Sequence, residues 1–365
     1  MPVIEEILRE AEEAGASDVH LTVGIPPRMR VNGNLVTMNY PKMLSTDTLD
    51  ILLKIMSDAQ RERFEGKGEY DFSFSVPGCG RFRVNAYKQK GCVALAIRLV
   101  GAGVPAPEVL GVPESVMNLY RKRRGLVLAT GGAGSGKTTT LAAIVDKING
   151  SRNAHIITLE DPIEYLHQHK TSMVNQREIG IDCVSYEEAI NAAVREDPDV
   201  ILLGEMRDPD TAARAVDAAA TGCLVLSSLN TMGTADAIDH IVNIFPPYYQ
   251  QQFRLRLAKV LETVVFQQLI PTADGGGRVA AFEVMHTNQT VRSLIREGKI
   301  SQLPGAIQAG RKQGMVLMDE AILRLYVERK IDRENAVWYA RNPEAMKMRL
   351  TAGISIGKGE GKQQL

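Results

Sequence analysis

The chain lacks the features that would place it in a membrane, a disulfide scaffold or a nucleic-acid-binding class. Its longest apolar runs, such as DVILLG and CLVLSSL, fall far below the ~18 residues needed to span a bilayer. Only four cysteines occur in 365 residues, at Cys79, Cys92, Cys183 and Cys223, and none forms a C-x-x-C pair. That argues against a zinc ribbon or disulfide framework and suits reduced thiols in the cytoplasm. Lys+Arg and Asp+Glu both total 43, so no net basic field draws the chain to nucleic acid or anionic lipid. The opening MPVIEEILREAEEAG is acidic and amphipathic, unlike the basic-then-apolar order of a signal peptide. Repeats are absent as well. An apolar content of 44% with 24% charge is that of an ordinary soluble globular protein, long enough for two or three domains with ample core.

Two patterns divide the chain. Val3, Ile4, Ile7, Leu8, Ala11 and Ala14 follow helical spacing, so residues 3–14 read as an amphipathic helix. DVHLTV and PRMRVNGNLVTM read as strands with NGN as the turn, and residues 47–64 read as helical. YDFSFSVP, GRFRVNAYKQ and CVALAIRLV alternate with period two, as half-buried antiparallel strands do. Residues 1 to about 100 therefore form a small α+β domain, and GAGVPAPEVLGVP after them is a Gly/Pro-rich linker. Beyond it, apolar strands (GLVLAT, AHIITLE, DVILLGE, CLVLSSL) alternate with helical stretches at 138–149, 185–195, 209–221 and 233–243. That predicts a parallel sheet covered by helices on both faces. From about 247 to 350 the pattern is mostly helical, interrupted by a VFQQLIP…GGGRVAAFEVM hairpin; the last stretch, TAGISIGKGEGKQQL, is too poor in bulky apolar residues to pack.

The chemistry centres on GLVLATGGAGSGKTTTLAAIVDKIN. Gly131, Gly136, Lys137 and Thr138 satisfy G-x-x-x-x-G-K-[ST], after an apolar strand and at the start of a helix. Glycines let successive amides point inward as an anion nest, and the helix adds its positive dipole end. Lys137 would reach the β and γ phosphates, and the Thr138 hydroxyl would ligate Mg²⁺. Hydrolysis further needs a group to orient water, a carboxylate for the metal and a means of stabilising the developing charge. Three strand ends offer candidates: Glu160, Asp161 and Glu164 after HIITL, Glu205 after DVILLG, and Asn230 after LVLSSL. RKRR at 121–124 reads as a solvated helix end, and His167 with His169 lack partners at metal-ligand spacing.

With these motifs in place, the chain resembles the type IV pilus retraction ATPases, the PilT-like branch of the secretion ATPase superfamily, nearly end to end. GGAGSGKTTTLAA resembles the family's Walker A, TLEDPIEY its Asp box, and REDPDVILLGEMRD its Walker B. SDVHLTVGIPPRMRVNG and GRFRVNAY resemble its PAS-like N-terminal domain. TVRSLIREGKI (290–300) is similar to the segment that marks the retraction branch, and the missing four-cysteine zinc module agrees. The resemblance implies an α/β fold: a PAS-like domain at 1–100, a linker at 101–113, a RecA-like P-loop core at 114–285 with a parallel sheet, C-terminal helices at 286–350 and a disordered tail at 351–365. It implies ATP and Mg²⁺ as cofactors. Gly132, Ala133, Gly134, Ser135, Gly136, Lys137, Thr138 and Thr139 would cradle the phosphates with Asn230, and Thr138 and Glu205 would serve the metal. Glu164 would be the general base. Gly204 stands where most P-loop enzymes carry Asp, so the Glu205 contact to the metal would run through water. Arg83 and Arg98, with Arg81, would act as arginine fingers; the alternative for Arg81 and Arg83 is a charged outer strand face. Arg207 and Asp208 would make structural or intersubunit contacts.

Where the family has histidines in TGH…LHT, this chain reads TGCLVLSSLNT, with Cys223 and Asn230. Asn still bonds phosphate but does not titrate near neutral pH. The resemblance also implies a homohexamer at the cytoplasmic face of the inner membrane. It would work on a platform protein, without membrane insertion or nucleic acid, to retract pili for twitching motility. TVRSLIREGKI is expected to serve coupling, so that Ala at Leu294 and Ile295 would abolish retraction but spare hydrolysis. Competing readings are a nucleic-acid translocase, a pilus assembly or type II secretion ATPase, and a weakly hydrolysing partner of a paralogous retraction motor.

Overall fold

The computed structural model describes residues 3–31, 33–100 and 103–351. The expected tail, from residue 352 on, lies outside the described residues, as do Gly101 and Ala102 of the linker and Asn32 of the NGN turn. The chain divides into two units: residues 1–103 with 164–166, and residues 104–163 with 167–365.

Alternation builds the first unit. Helix α1 (Ile4–Glu13) buries Ile4, Ile7, Leu8 and Ala11, the i, i+3, i+4, i+7 stripe. Strands β1 (Asp18–Leu21), β2 (Arg28–Val31) and β3 (Asn34–Thr37) precede helices α2 (Ser45–Ile55) and α3 (Asp58–Lys67). The single helix expected at 47–64 is thus two, because Ser57 accepts from the Gln60 amide while the Gln60 side chain accepts from the Ser57 amide. That capping box starts a new helix. Strands β4 (Glu69–Val76), β5 (Gly80–Gln89) and β6 (Cys92–Val100) complete an antiparallel sheet of order β3-β2-β1-β6-β5-β4. Phe82, Val84 and Ala86 of β5 face the core while Arg83 is exposed.

The second unit is a doubly covered sheet. After short α4 (Pro107–Leu110) and α5 (Glu114–Met117) come β7 (Gly125–Thr130), α6 (Lys137–Ser151), β8 (His155–Glu160), β9 (Met173–Glu178), α7 (Tyr186–Ala193) and β10 (Val200–Leu203). Then follow α8 (Pro209–Ala220), β11 (Leu224–Leu229), α9 (Thr234–Asn243), α10 (Pro247–Val260), β12 (Leu261–Pro271) and β13 (Arg278–His286). The sheet order is β13-β12-β7-β11-β10-β8-β9, parallel throughout except for β13. Leu126 and Leu128 of β7 enter one apolar cluster with α7 to α10, and Val127 and Ala129 enter another with α6, so both faces are buried. Each such aliphatic side chain, at most 1% exposed for Leu126, Val127 and Leu128, contributes ~1.5–3 kcal/mol.

Two strands add to what was expected. VFQQLIP and GRVAAFEVM form the expected hairpin as β12 and β13, and β12 also pairs in parallel with the P-loop strand β7. The edge strand β9 was not expected, because MVNQRE buries only Val174 and Glu178 and carries no apolar alternation. Helices α11 (Gln289–Glu297), α12 (Leu303–Ala309), α13 (Met318–Val327), α14 (Arg333–Trp338) and α15 (Pro343–Thr351) finish the unit. Among the described residues no helix is long and apolar enough to cross a membrane.

Candidate nucleotide-binding site

The loop between β7 and α6 is shaped by what cannot fit in it. A Cβ at Gly136 would lie 2.8 Å from Gln267 Nε2, and one at Gly131 would overlap the Gln267 carbonyl and Ser135 Oγ. Gly136 also caps α6 in the left-handed region, with φ 89°. The backbone therefore turns tightly and presents the first-turn amides of α6, whose donors have no partner within the helix. Ser135 Oγ is buried and finds no partner among the described residues. Beneath the loop, Gln267 Oε1 accepts from Thr140 Oγ1 at 2.7 Å. Gln267 is not among the residues anticipated from sequence, since nothing in the hairpin's apolar pattern pairs it with the P-loop strand; it is the floor of the phosphate cradle.

Polar side chains converge at the carboxyl ends of the neighbouring strands. Lys137 Nζ donates to the Gly131 and Gly132 carbonyls at 2.9 and 3.0 Å and to Asn230 Oδ1 at 2.8 Å. Asn230 Nδ2 donates in turn to Glu205 Oε1, and Arg207 Nε to Glu205 Oε2 at 2.8 Å. Lysine, amide, carboxylate and guanidinium thus form one chain across the ends of β7, β11 and β10. Thr231 locks the strands below it: its amide donates to Thr130 Oγ1 at 3.1 Å, and the two hydroxyls lie 2.6 Å apart. Gly204 has no room for a side chain, because a Cβ would sit 2.8 Å from the Tyr186 hydroxyl. Burial, then the nearby Asp161 carboxylate, pushes that hydroxyl's pKa far up. The Tyr186 hydroxyl therefore occupies the space that a side chain at 204 would take.

The predicted residues separate into those gathered here and those that are not. Lys137 and Glu205 both bond Asn230, and Arg207, expected to be structural, joins them through Glu205. Glu160 is buried and accepts from Thr158 Oγ1 at 2.6 Å and Gln176 Nε2 at 3.2 Å, which suits a structural acid. Glu164 is exposed, one residue past the buried Ile163. Arg83 and Arg98 are cross-strand partners on the first unit, and Arg98 is ion-paired with Asp18 at 3.0 Å. Cys223 lies at the opposite end of β11 from Asn230, with Sγ donating to the Pro198 carbonyl at 3.2 Å. Its replacement of a histidine cannot act on phosphate from there. His167 is buried beside Asp146 Oδ1 at 3.9 Å, and His169 Nδ1 accepts from the Val174 amide at 3.0 Å. Ile295, expected to serve coupling, is fully buried with Val291 in the core, so Ala there would open a cavity and confound the test.

Beside the loop lies a cavity of about 600 Å³, lined by Gly136, Thr139, Leu269, Arg278 and Lys330 among others. That volume is within the range of ~300–1,000 Å³ for small-ligand pockets. A phosphate group on the α6 N-terminus and the remainder of a nucleotide in this cavity fit the arrangement.

The type II/IV secretion system protein family model matches residues 1–355. The chain is 44% identical over 341 residues to the type IV pilus retraction ATPase PilT of Pseudomonas aeruginosa, covering 93% of this chain and 99% of that one. It is 42% identical to a twitching motility protein of Neisseria gonorrhoeae, over 88% of this chain and 86% of that one. A crystal structure of the pilus retraction motor PilT with bound ADP superposes with a TM-score of 0.88 at 43% identity, covering 95% of this chain and 100% of that one.

Proposed function

The chain belongs to the type II/IV secretion system protein family, and from that premise we propose that it hydrolyses ATP to drive the retraction of type IV pili. The observation that carries this reading is the convergence of Lys137, Asn230 and Glu205 at the P-loop of a chain that resembles retraction ATPases over nearly its whole length.

The buried, unpartnered Ser135 hydroxyl and the side-chain-free surfaces of Gly131 and Gly136 suit a polyphosphate. ATP supplies the phosphoanhydride to be cleaved. Lys137 and the amides of Gly132, Ala133, Gly134, Ser135, Gly136, Thr138 and Thr139 bind its phosphates, and Asn230 holds the γ end. The Thr138 hydroxyl and Glu205 carboxylate hold Mg²⁺. Glu164 orients the attacking water, and Arg83 and Arg98, with Arg81, take the arginine-finger role. Residues 114–285 serve as the ATPase core, 1–100 as the moving domain and 286–350 as the coupling region. The assembly is a ring of six beneath an inner-membrane platform protein, where each cycle helps return pilin to the membrane.

The test is Mg²⁺-dependent phosphate release from the purified full chain. Lys137→Ala and Glu164→Ala should each lower turnover at least ~10²-fold, and neither gene should restore twitching to a strain lacking this chain. Wild-type protein no faster than these variants would sink the motor reading.

A further inference from the structure

The loop that carries Asn230 is held from three sides. Thr231 ties it to Thr130 at the end of the P-loop strand. Just beyond, α9 begins with the Thr234 amide and hydroxyl donating to the buried Glu283 Oε1 at 2.9 and 2.7 Å. The third hold comes from the C-terminal helices. Arg341, between α14 and α15, places Nη2 2.5 Å from Asp236 Oδ2 in the first turn of α9. Its own backbone is fixed from α13: the Arg341 and Asn342 amides donate to the two oxygens of Asp319 at 2.6 and 3.1 Å.

Gly233 shows how closely this hold is made. A Cβ there would overlap Arg341 Nη1 and lie 2.7 Å from Asp236 Oδ2. Its φ of 172° is extended backbone open to any residue, so the position needs room, not a special conformation. The guanidinium therefore lies against the backbone between Asn230 and α9, and the Thr231 hydroxyl, 3.4 Å from the Gly233 carbonyl, continues the path to Asn230.

We propose that Arg341 is a positioning residue for nucleotide hydrolysis. By clamping Gly233 and the first turn of α9, it sets where Asn230 meets Lys137, and so links α13 to α15 to the γ-phosphate end of the site. The inference rests on the ATPase reading above. Arg341 and Asp236 are 40% and 48% exposed, and an ion pair that open adds little to stability. Its effect on geometry is another matter, since displacing a catalytic contact by about an ångström can cost ~10²-fold in rate.

The experiment uses the full chain and compares wild type with R341A, R341K, D236N and G233A. It records kcat, nucleotide affinity by calorimetry and Tm, with K137A as the inactive control. R341A, D236N and G233A should each lose about tenfold in kcat while nucleotide affinity and Tm stay near wild type. R341K should keep part of the rate, and the R341A/G233A double variant should be no slower than either single one, because both break the same contact. G233A matters most, since it displaces the guanidinium while leaving Arg341 in the chain. Wild-type kcat in R341A and G233A would overturn the proposal. So would a loss of turnover that tracks a loss of folded protein in all three variants, since Arg341 would then be structural only. Wild type no faster than K137A would instead sink the ATPase reading.

Discussion

The two ends of the seven-stranded sheet are made by the same strands and built to different rules. At the carboxyl end the strands stop in Thr130, Glu160, Leu203 and Leu229, and side chains from the three segments after β7, β10 and β11 bond one another: Lys137, Asn230, Glu205 and Arg207. At the amino end the backbone does most of the joining. The Gly125 amide donates to the Cys223 carbonyl at 3.0 Å, Leu224 to Asp199 at 2.9 Å, and Asp199 to His155 at 3.0 Å. The difference teaches where change is tolerated. A ladder of backbone bonds is indifferent to side-chain identity. A chain of side-chain bonds across three segments fails if any member is lost.

The carboxyl end should break most readily. Asn230→Ala removes one acceptor of Lys137 and a donor to Glu205 together, and should lower kcat by about 10²-fold with little change in Tm, measured by phosphate release and thermal melting. Gln267→Ala acts one layer below. It leaves the buried Thr140 hydroxyl without its acceptor, a cost of ~1–3 kcal/mol in stability, and should weaken ADP binding about tenfold in calorimetry because the cradle loses its floor. Equal affinity in Gln267→Ala would mean that the loop holds its shape without β12.

At the amino end the expected effects fall on stability alone. His286 pairs with Thr263 Oγ1 at 2.9 Å, and burial, reinforced by Lys122, lowers its pKa below the ordinary histidine value. Its neutral form is therefore the folded one. Above the ordinary pKa of ~6.5 the residue is neutral both folded and unfolded, and the full stability is present. As pH falls from ~6.5 toward the lowered folded value, the unfolded chain binds a proton more readily and stability is lost. His286→Gln should flatten the drop in Tm between about pH 6.5 and 5 while leaving turnover at pH 7.5 unchanged. A Tm profile as steep as wild type would remove His286 from the account.

How much of this was legible in the sequence follows from the same contrast. The P-loop could be read because its chemistry is local: one strand, one turn and one helix contain it. Glu205 and Asn230 could be placed because parallel strands end on the same side. Gln267 could not, because its role depends on β12 pairing with β7 across a long connection, and apolar runs do not declare their partners. β9 escaped because an edge strand with only Val174 and Glu178 buried leaves no alternation to detect. Arg341 escaped for the same reason as Gln267: its contact to Gly233 and Asp236 joins segments that nothing in the chain's local pattern relates. Ile295 shows what a motif leaves out, since a residue of the segment expected to serve coupling has its side chain in the core.

Cys223 gives the smallest expected effect and the sharpest check on the comparison. It occupies a position where relatives were expected to carry histidine, yet β11 runs from Leu224 to Leu229 between it and Asn230. At about 3.3 Å per residue that separation is on the order of 20 Å, too far for any side chain to bridge. The thiol is buried, its pKa raised chiefly by burial, and it bonds the Pro198 carbonyl within the apolar cluster. Cys223→Ala should therefore cost about 1 kcal/mol of stability, read as a small fall in Tm, and leave kcat and nucleotide affinity at wild-type values. If turnover in Cys223→Ala fell as it does in Asn230→Ala, the amino end would have to communicate with the phosphate site through the sheet itself, and the separation of roles between the two ends would be wrong.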